Sequence, residues 1–190
     1  MPTTFYIKNM VCDRCIMAVN DAFGKLNLLP EKVSLGEVVL REDSIDENVK
    51  NELDISLQKL GFERIDDRKG RLIEAIKNKI IKIVHHSEGI DLKFNWSDIL
   101  AEEFHYEYNY LSHLFSSVEG ITLEQYIIRQ KIERVKELLF YDELNLGQIA
   151  SRLGYSSIAH LSAQFKKVTG LTPTELKKSR VVSRKSLDNV

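Results

Sequence analysis

The chain is poor in the residues that define several protein classes. It has two cysteines, three prolines, nine glycines and one tryptophan in 190 residues. Two cysteines cannot build a disulfide framework. So little proline and glycine excludes a collagen-like, linker-dominated or low-complexity chain. The longest apolar runs, Ile80–Ile81 and Ile83–Val84, are broken by Lys82. None approaches the ~20 apolar residues that a helix needs to cross a bilayer. Met1 to Tyr6 offers neither a basic nor an apolar leader region, so the expectation is no signal peptide, no membrane association and a cytoplasmic protein. Phosphate-binding glycine loops, GxSxG elbows, HExxH pairs and dinucleotide fingerprints are all missing from the sequence. No nucleophile–base pair follows from spacing. The expectation is a protein that is not an enzyme and requires no cofactor.

What is present is ordinary globular material: 43% apolar and 29% charged residues. The length suits one large domain or two small ones. The net charge of −1 hides a division. Residues 1–67 carry 8 Lys+Arg against 13 Asp+Glu, and residues 94–144 carry 4 against 10. Residues 145–190 carry 8 against 2, a net of +6. An acidic body with one basic end suits a polyanion-binding surface confined to that segment, or a solvated tail.

The first 67 residues alternate between two periodicities. Thr4 to Lys8 and Lys32 to Leu40 are rich in β-branched and alternating apolar residues, with Gly36 as a turn or bulge. Ala18, Ala22, Phe23 and Leu26 space a helix, as do Val49, Leu53, Leu57 and Leu60 before Gly61. Phe62 to Ile65 is a last short strand. The order predicts a small α+β unit of the split-βαβ, ferredoxin-like kind over 1–67. Asp66 to Gly70 reads as a charged junction. An all-α domain over 68–180 follows, then a basic tail over 181–190. In the all-α part Leu72, Ile73, Ile76, Ile80, Ile83 and Val84 mark one helix. Ser97-Asp98 caps the next. Thr122 and Gln125 form a capping box that opens a helix reaching to about residue 140. His85 and His86, adjacent on a helix, point about 100° apart and cannot share a metal; they read as ordinary exposed or half-buried residues.

The helical part contains itself twice. Ala101-Glu102-Glu103-Phe104-His105-Tyr106 pairs with Ala150-Ser151-Arg152-Leu153-Gly154-Tyr155 at an offset of 49. Tyr110-Leu111-Ser112 with Phe115 pairs with His160-Leu161-Ser162 with Phe165 at an offset of 50, as does Glu119-Gly120-Ile121-Thr122 with Thr169-Gly170-Leu171-Thr172. Each copy reads as a helix, a short turn and a second amphipathic helix, the helix-turn-helix pattern. Phe104 with Leu111, Leu114 and Phe115 makes one small core; Leu153 with Leu161 and Phe165 makes the other. Gly154 suits a positive φ in the turn, where the first copy has His105. Ser156-Ser157 offers an N-cap, and His160, Gln164 and Lys167 face solvent. The helix joining the copies, about 28 Å long at 1.5 Å per residue, approaches the ~34 Å rise of one DNA turn.

Residues from about 70 to 178 resemble the AraC-type (arabinose-regulator-like) DNA-binding domain. Ile149-Ala150-Ser151-Arg152-Leu153-Gly154-Tyr155-Ser156-Ser157 through Phe165-Lys166-Lys167-Val168-Thr169-Gly170-Leu171-Thr172-Pro173 carries the likeness, and Tyr110 to Phe115 carries its weaker first copy. The resemblance implies a transcription regulator that binds double-stranded DNA through two helix-turn-helix units and works with RNA polymerase. By position, base edges would meet Asn109, Ser112 and His113 in the first copy. In the second they would meet Ile158, Ala159, His160, Ser162 and Ala163. Ser157, Gln164, Lys166 and Lys167 complete the DNA-facing set, the two lysines on phosphates. None of the base-edge residues is Arg or Lys, so the bidentate guanine contact is missing. Glu102, Glu103 and Glu107 make the first copy acidic, so the second is expected to carry more of the affinity.

Met10-Val11-Cys12-Asp13-Arg14-Cys15 lies between the first strand and the first helix. Two thiols three positions apart at a helix N-terminus suit one soft cation such as Cu(I), and the helix dipole is expected to lower their pKa. A dithiol redox switch and a purely structural pair remain alternatives. The first ~65 residues resemble the heavy-metal-associated, copper-chaperone-like domain, whose loop reads Met-x-Cys-x-x-Cys. Gly61-Phe62-Glu63 fits the start of its last strand, while Asn9 stands where that family has glycine. The N-terminal domain would then sense a metal or form a homodimer. The competing reading is a metal carrier whose helical domain docks a protein partner.

Overall fold

The computed structural model describes residues 3–42, 44–86, 94–141, 143–179 and 187. The expected tail over 181–190 lies, but for Leu187, outside them. Two compact units, Met1–Lys79 and Ile80–Val190, divide the chain within one helix, downstream of the charged junction. No helix among the described residues is long and apolar enough to cross a membrane.

The first unit runs β1 (Thr4–Lys8), α1 (Asp13–Gly24), β2 (Pro30–Ser34), β3 (Glu37–Leu40), α2 (Glu47–Lys59) and β4 (Glu63–Ile65). The strands form one sheet in the order β2-β3-β1-β4, with every neighbour antiparallel. Alternation along β1 sends Phe5 and Ile7 to one face, where they join Val19, Ala22 and Phe23 of α1 and Leu53 and Leu57 of α2 in a buried core. Phe5 meets Phe23 edge to face, with ring centres 5.7 Å apart. Each such side chain contributes about 1.5–3 kcal/mol by leaving water. The other face offers Tyr6, over which the Arg71 guanidinium lies 4.7 Å from the ring centre. The β2–β3 hairpin turns at Leu35-Gly36, where Gly36 has a φ of +83° and a Cβ would meet the Asn78 Nδ2 at 2.6 Å. Arg64 of β4 grips Asp54 of α2 through two hydrogen bonds of 2.9 Å.

α3 (Arg68–His85) begins inside the segment expected to be a junction. Asp67 accepts the Gly70 N–H at 2.7 Å, so the acidic residue starts the helix and Gly70 lies in its first turn. A Cβ at Gly70 would sit 2.9 Å from the Ile65 Cγ2, which is why the turn can lie so close to β4.

The second unit continues with α4 (Trp96–Phe104), α5 (Tyr108–Glu119), α6 (Leu123–Tyr141), α7 (Leu146–Arg152), α8 (Ile158–Thr169) and α9 (Pro173–Ser179). Asn95, rather than Ser97-Asp98, caps α4; its side chain accepts the Ser97 N–H at 3.2 Å and also the Ser97 hydroxyl. Thr122 and Gln125 form the expected reciprocal box at the start of α6. α6 packs against α5, α8 and α9 and is buried on most of its circumference. That burial takes in charge: Lys136 donates to Glu133 at 2.6 Å, and both are buried. His85 is likewise buried, contrary to the expectation of a half-exposed residue. Its Nε2 bonds the Gln130 Oε1 at 3.0 Å, and Gln130 also reaches the Tyr126 hydroxyl. Burial of a polar ring is tolerated where its partners are in place.

The turns of the two helix pairs differ in a testable way. Both need the left-handed region, at Gly154 (φ 71°) and at His105 (φ 57°). Gly154→Ala is expected to lose about 1–2 kcal/mol of stability, the αL penalty for a side chain. His105→Gly gains about 0.5 kcal/mol, because relief of that penalty is partly offset by greater freedom in the unfolded chain. Urea unfolding of the full chain measures both.

Candidate nucleic-acid interface and cysteine pair

The duplicated pattern becomes two matching sets of helices. α4 and α5 pack together, as do α7 and α8. In each set the second helix turns a leucine and a phenylalanine inward, Leu111 and Phe115 in α5 and Leu161 and Phe165 in α8, all fully buried. α5 and α8 both end at a left-handed glycine, Gly120 and Gly170. Each glycine is followed by a threonine box: Thr122 with Gln125 opens α6, and Thr172 with Glu175 opens α9. Ala150 is buried at the α7 side, while Ala101 is half-buried.

Inward anchoring four residues apart leaves the opposite helix face outside. On α8 that face presents Ile158, Ala159, His160, Ala163, Lys166 and Lys167, all exposed, with Ser162 half-buried. Ser157 is the N-cap and accepts the His160 N–H at 3.0 Å. Gln164, expected in solvent, is half-buried and lines with Lys167 a cleft beside Arg129, Glu133 and Lys136 of α6. On α5 Asn109 and His113 are exposed and Ser112 is half-buried. Glu102, Glu103 and Glu107 are exposed around that set. Glu107 is the N-cap of α5 without a side-chain bond, where α8 has a serine that makes one.

Residues 100–179 match the family described as a helix-turn-helix domain. The uncharacterized HTH-type transcriptional regulator YtdP of Bacillus subtilis (strain 168) is 29% identical over 111 residues, which are 58% of this chain and 14% of that protein. The uncharacterized HTH-type transcriptional regulator YisR of the same organism is 34% identical over 86 residues, 45% of this chain and 29% of that one. Over these residues the chain is similar to helix-turn-helix transcriptional regulators. It spans well under half the length of the curated relatives that it matches. Among solved structures, the C-terminal domain of AraT, a response regulator from Geobacillus stearothermophilus, is 25% identical with a TM-score of 0.49, covering 62% of this chain and 92% of that one.

Within the domain that residues 100–179 form, the structure adds residues that the sequence reading passed over. Tyr110, exposed on α5, stacks on Tyr106 with ring centres 5.1 Å apart. Tyr155, buried, meets His160 in a T-shaped contact with ring centres 5.4 Å apart. Burial pushes the Tyr155 phenol well above its ordinary range and lowers the Lys131 ammonium, whose Nζ lies 5.6 Å from the same ring centre. The signal for Tyr110 was available: the offset-50 pairing places it opposite His160.

Outside that domain, Cys12 is the N-cap of α1 and Cys15 sits in its first turn, with sulfurs 3.5 Å apart. Asn9, at a φ of 70°, tolerates the left-handed turn before them and donates to the Gly61 carbonyl at 2.9 Å. Burial raises the Cys15 thiol above its ordinary pKa, opposite to the expected lowering, because desolvation outweighs the helix N-terminus. Met10 is fully buried in the core. Among the described residues no group of three or more His, Cys, Asp or Glu converges as a metal cage.

Two outcomes follow. Ser157→Ala is expected to cost about 1 kcal/mol and to speed hydrogen exchange in the first turn of α8 alone. In Cys12→Ser, alkylation of Cys15 should keep accelerating with pH beyond the point where a free cysteine peptide levels off; a curve matching the peptide would remove the burial argument.

Proposed function

We propose that the protein is a DNA-binding transcription regulator that reads two successive major grooves with two helix-turn-helix units, α4–α5 and α7–α8, joined by α6. The supporting observation is the repeat of one anchored, outward-facing helix in α5 and α8, each packed on the same central helix. Lys166 and Lys167 supply sequence-independent attraction to phosphates. Asn109, Ser112, His113, Ser157, Ile158, Ala159, His160, Ser162, Ala163 and Gln164 make up the remaining contact surface, in which Asn109 suits adenine and Ile158 and Ala159 suit thymine methyls. The second unit dominates, since α8 ends in two lysines while the first is ringed by glutamates. Such a regulator acts in the cytoplasm and engages RNA polymerase.

The N-terminal unit is the sensor or dimerisation part. Its β-α-β-β-α-β order and antiparallel β2-β3-β1-β4 sheet support the ferredoxin-like, split-βαβ reading and its likeness to heavy-metal-associated domains. Two sulfurs converging at a helix start fit a two-coordinate soft cation such as Cu(I); a closed four-ligand zinc site has too few donors among the described residues. Cys12 and Cys15 would hold the cation, and the raised Cys15 thiol must lose its proton to do so. The same convergence favours the second reading, a metal carrier whose helical unit docks a protein.

Selection of bound duplexes from a random library, with and without Cu(I), tests both readings. The regulator reading expects one enriched site and a steep fall of affinity with salt, the slope shrinking by about one unit per lysine in Lys166→Ala and Lys167→Ala. A flat salt slope with no enriched sequence would leave the carrier. Anaerobic Cu(I) titration of the wild type against Cys12→Ser decides the metal part: equal uptake ends it.

A further inference from the structure

Tyr110 and His160 occupy equivalent places in the two repeats. Each precedes the fully buried leucine that anchors its helix, Leu111 or Leu161. Each is exposed, and each lies against a tyrosine of the preceding turn: Tyr110 on Tyr106 at 5.1 Å, His160 on Tyr155 at 5.4 Å. The ring contacts differ in angle, 30° in the first and 84° in the second. The shared result is a ring backed by an aromatic wall with its polar end free to point outward.

His160 is fixed further. Its Nδ1 lies 3.1 Å from the Ser156 hydroxyl, and its own N–H is taken by Ser157. When Ser156 donates to Nδ1, the ring proton sits on Nε2, the one polar atom of the ring left over. A ring held at one nitrogen and beside a buried aromatic ring loses little freedom when the other nitrogen makes a bond.

Resting on the regulator reading, we infer that Tyr110 and His160 are a matched pair of hydrogen-bond donors to acceptor atoms of the DNA, the phenol O–H in the first unit and the imidazole Nε2–H in the second. Neither donor requires a charge. They place one oriented contact per groove in a surface that has no arginine among its expected base-edge residues. Ser156 is the positioning residue for His160. The acceptor, a purine edge or a phosphate oxygen, is the one chemical class shared by both contacts.

The test uses the full chain and the duplex enriched from the random library. Tyr110→Phe keeps the stacked ring and removes only the donor. His160→Gln keeps an N–H near the Nε2 position, whereas His160→Asn keeps one nearer Nδ1. Tyr110→Phe and His160→Asn are expected to weaken binding about three- to tenfold, the worth of one hydrogen bond, while His160→Gln stays within about twofold. Ser156→Ala should weaken binding in the wild type and have no further effect in His160→Gln, a coupling that a purely structural serine would not show. Unchanged circular dichroism and thermal midpoints confirm that each variant folds. Repeating the selection assigns the acceptor: relaxed preference at one base pair marks a purine edge, and a uniform loss marks a phosphate. If the wild type selects a site and Tyr110→Phe and His160→Asn bind it equally well, the donor pair is wrong and the regulator reading stands. If the wild type selects nothing, both fall.

Discussion

The helical unit depends on one repeated constraint, the inward Leu–Phe pair four residues apart on α5 and again on α8. Burying Leu111 with Phe115, and Leu161 with Phe165, fixes the rotation of each helix about its axis. Once that rotation is set, the identity of the outward residues is no longer free. α6 supplies the surface against which both anchors pack, with Tyr126 meeting Phe115 at 5.2 Å between ring centres. A helix serving two neighbours has little circumference left for water. Gln130, Glu133 and Lys136 are therefore buried on it together with its apolar residues, each with a polar partner.

Symmetry of packing does not extend to symmetry of chemistry. α8 starts at a serine that bonds its first turn and ends in two lysines. α5 starts at a glutamate that makes no such bond and has no basic residue in its last turn. The left-handed turn is a glycine in one set and a histidine in the other. The same backbone plan thus carries two surfaces of opposite electrostatic character. The N-terminal unit obeys a different rule, period-two alternation on β1 and a core closed by two helices. Its cysteines sit where that core reaches the surface, half-buried, which is why burial rather than the helix end governs Cys15.

Most secondary structure was legible because its causes are local. The alternation of Thr4 to Lys8, the turn at Gly36, the Thr122–Gln125 box and the positive φ at Gly154 are all written within a few residues. The misses have equally definite causes. Asp66 to Gly70 looked like a junction because charge and glycine cluster there, yet Asp67 uses its carboxylate to start a helix. Ser97-Asp98 looked like a cap, but Asn95 stands two residues earlier with a side chain that accepts the Ser97 N–H and so starts the helix sooner. Tyr110 was passed over although the offset-50 pairing sets it against His160; its exposure on α5 shows the position to lie outside.

By itself the sequence determined the element order, the duplication and the faces of the helices, since hydrophobic periodicity and capping chemistry act over a turn or less. It also set the uneven charge of the two copies, which is a matter of composition. Only the tertiary structure decided which polar groups leave water. His85 on Gln130 and Lys136 on Glu133, all four buried, each need a partner at a set distance in space. For the first of these the partner lies 45 positions away. A hydrogen bond is worth forming inside a protein only when packing has already brought its two ends together, and no reading of spacing along the chain contains that information.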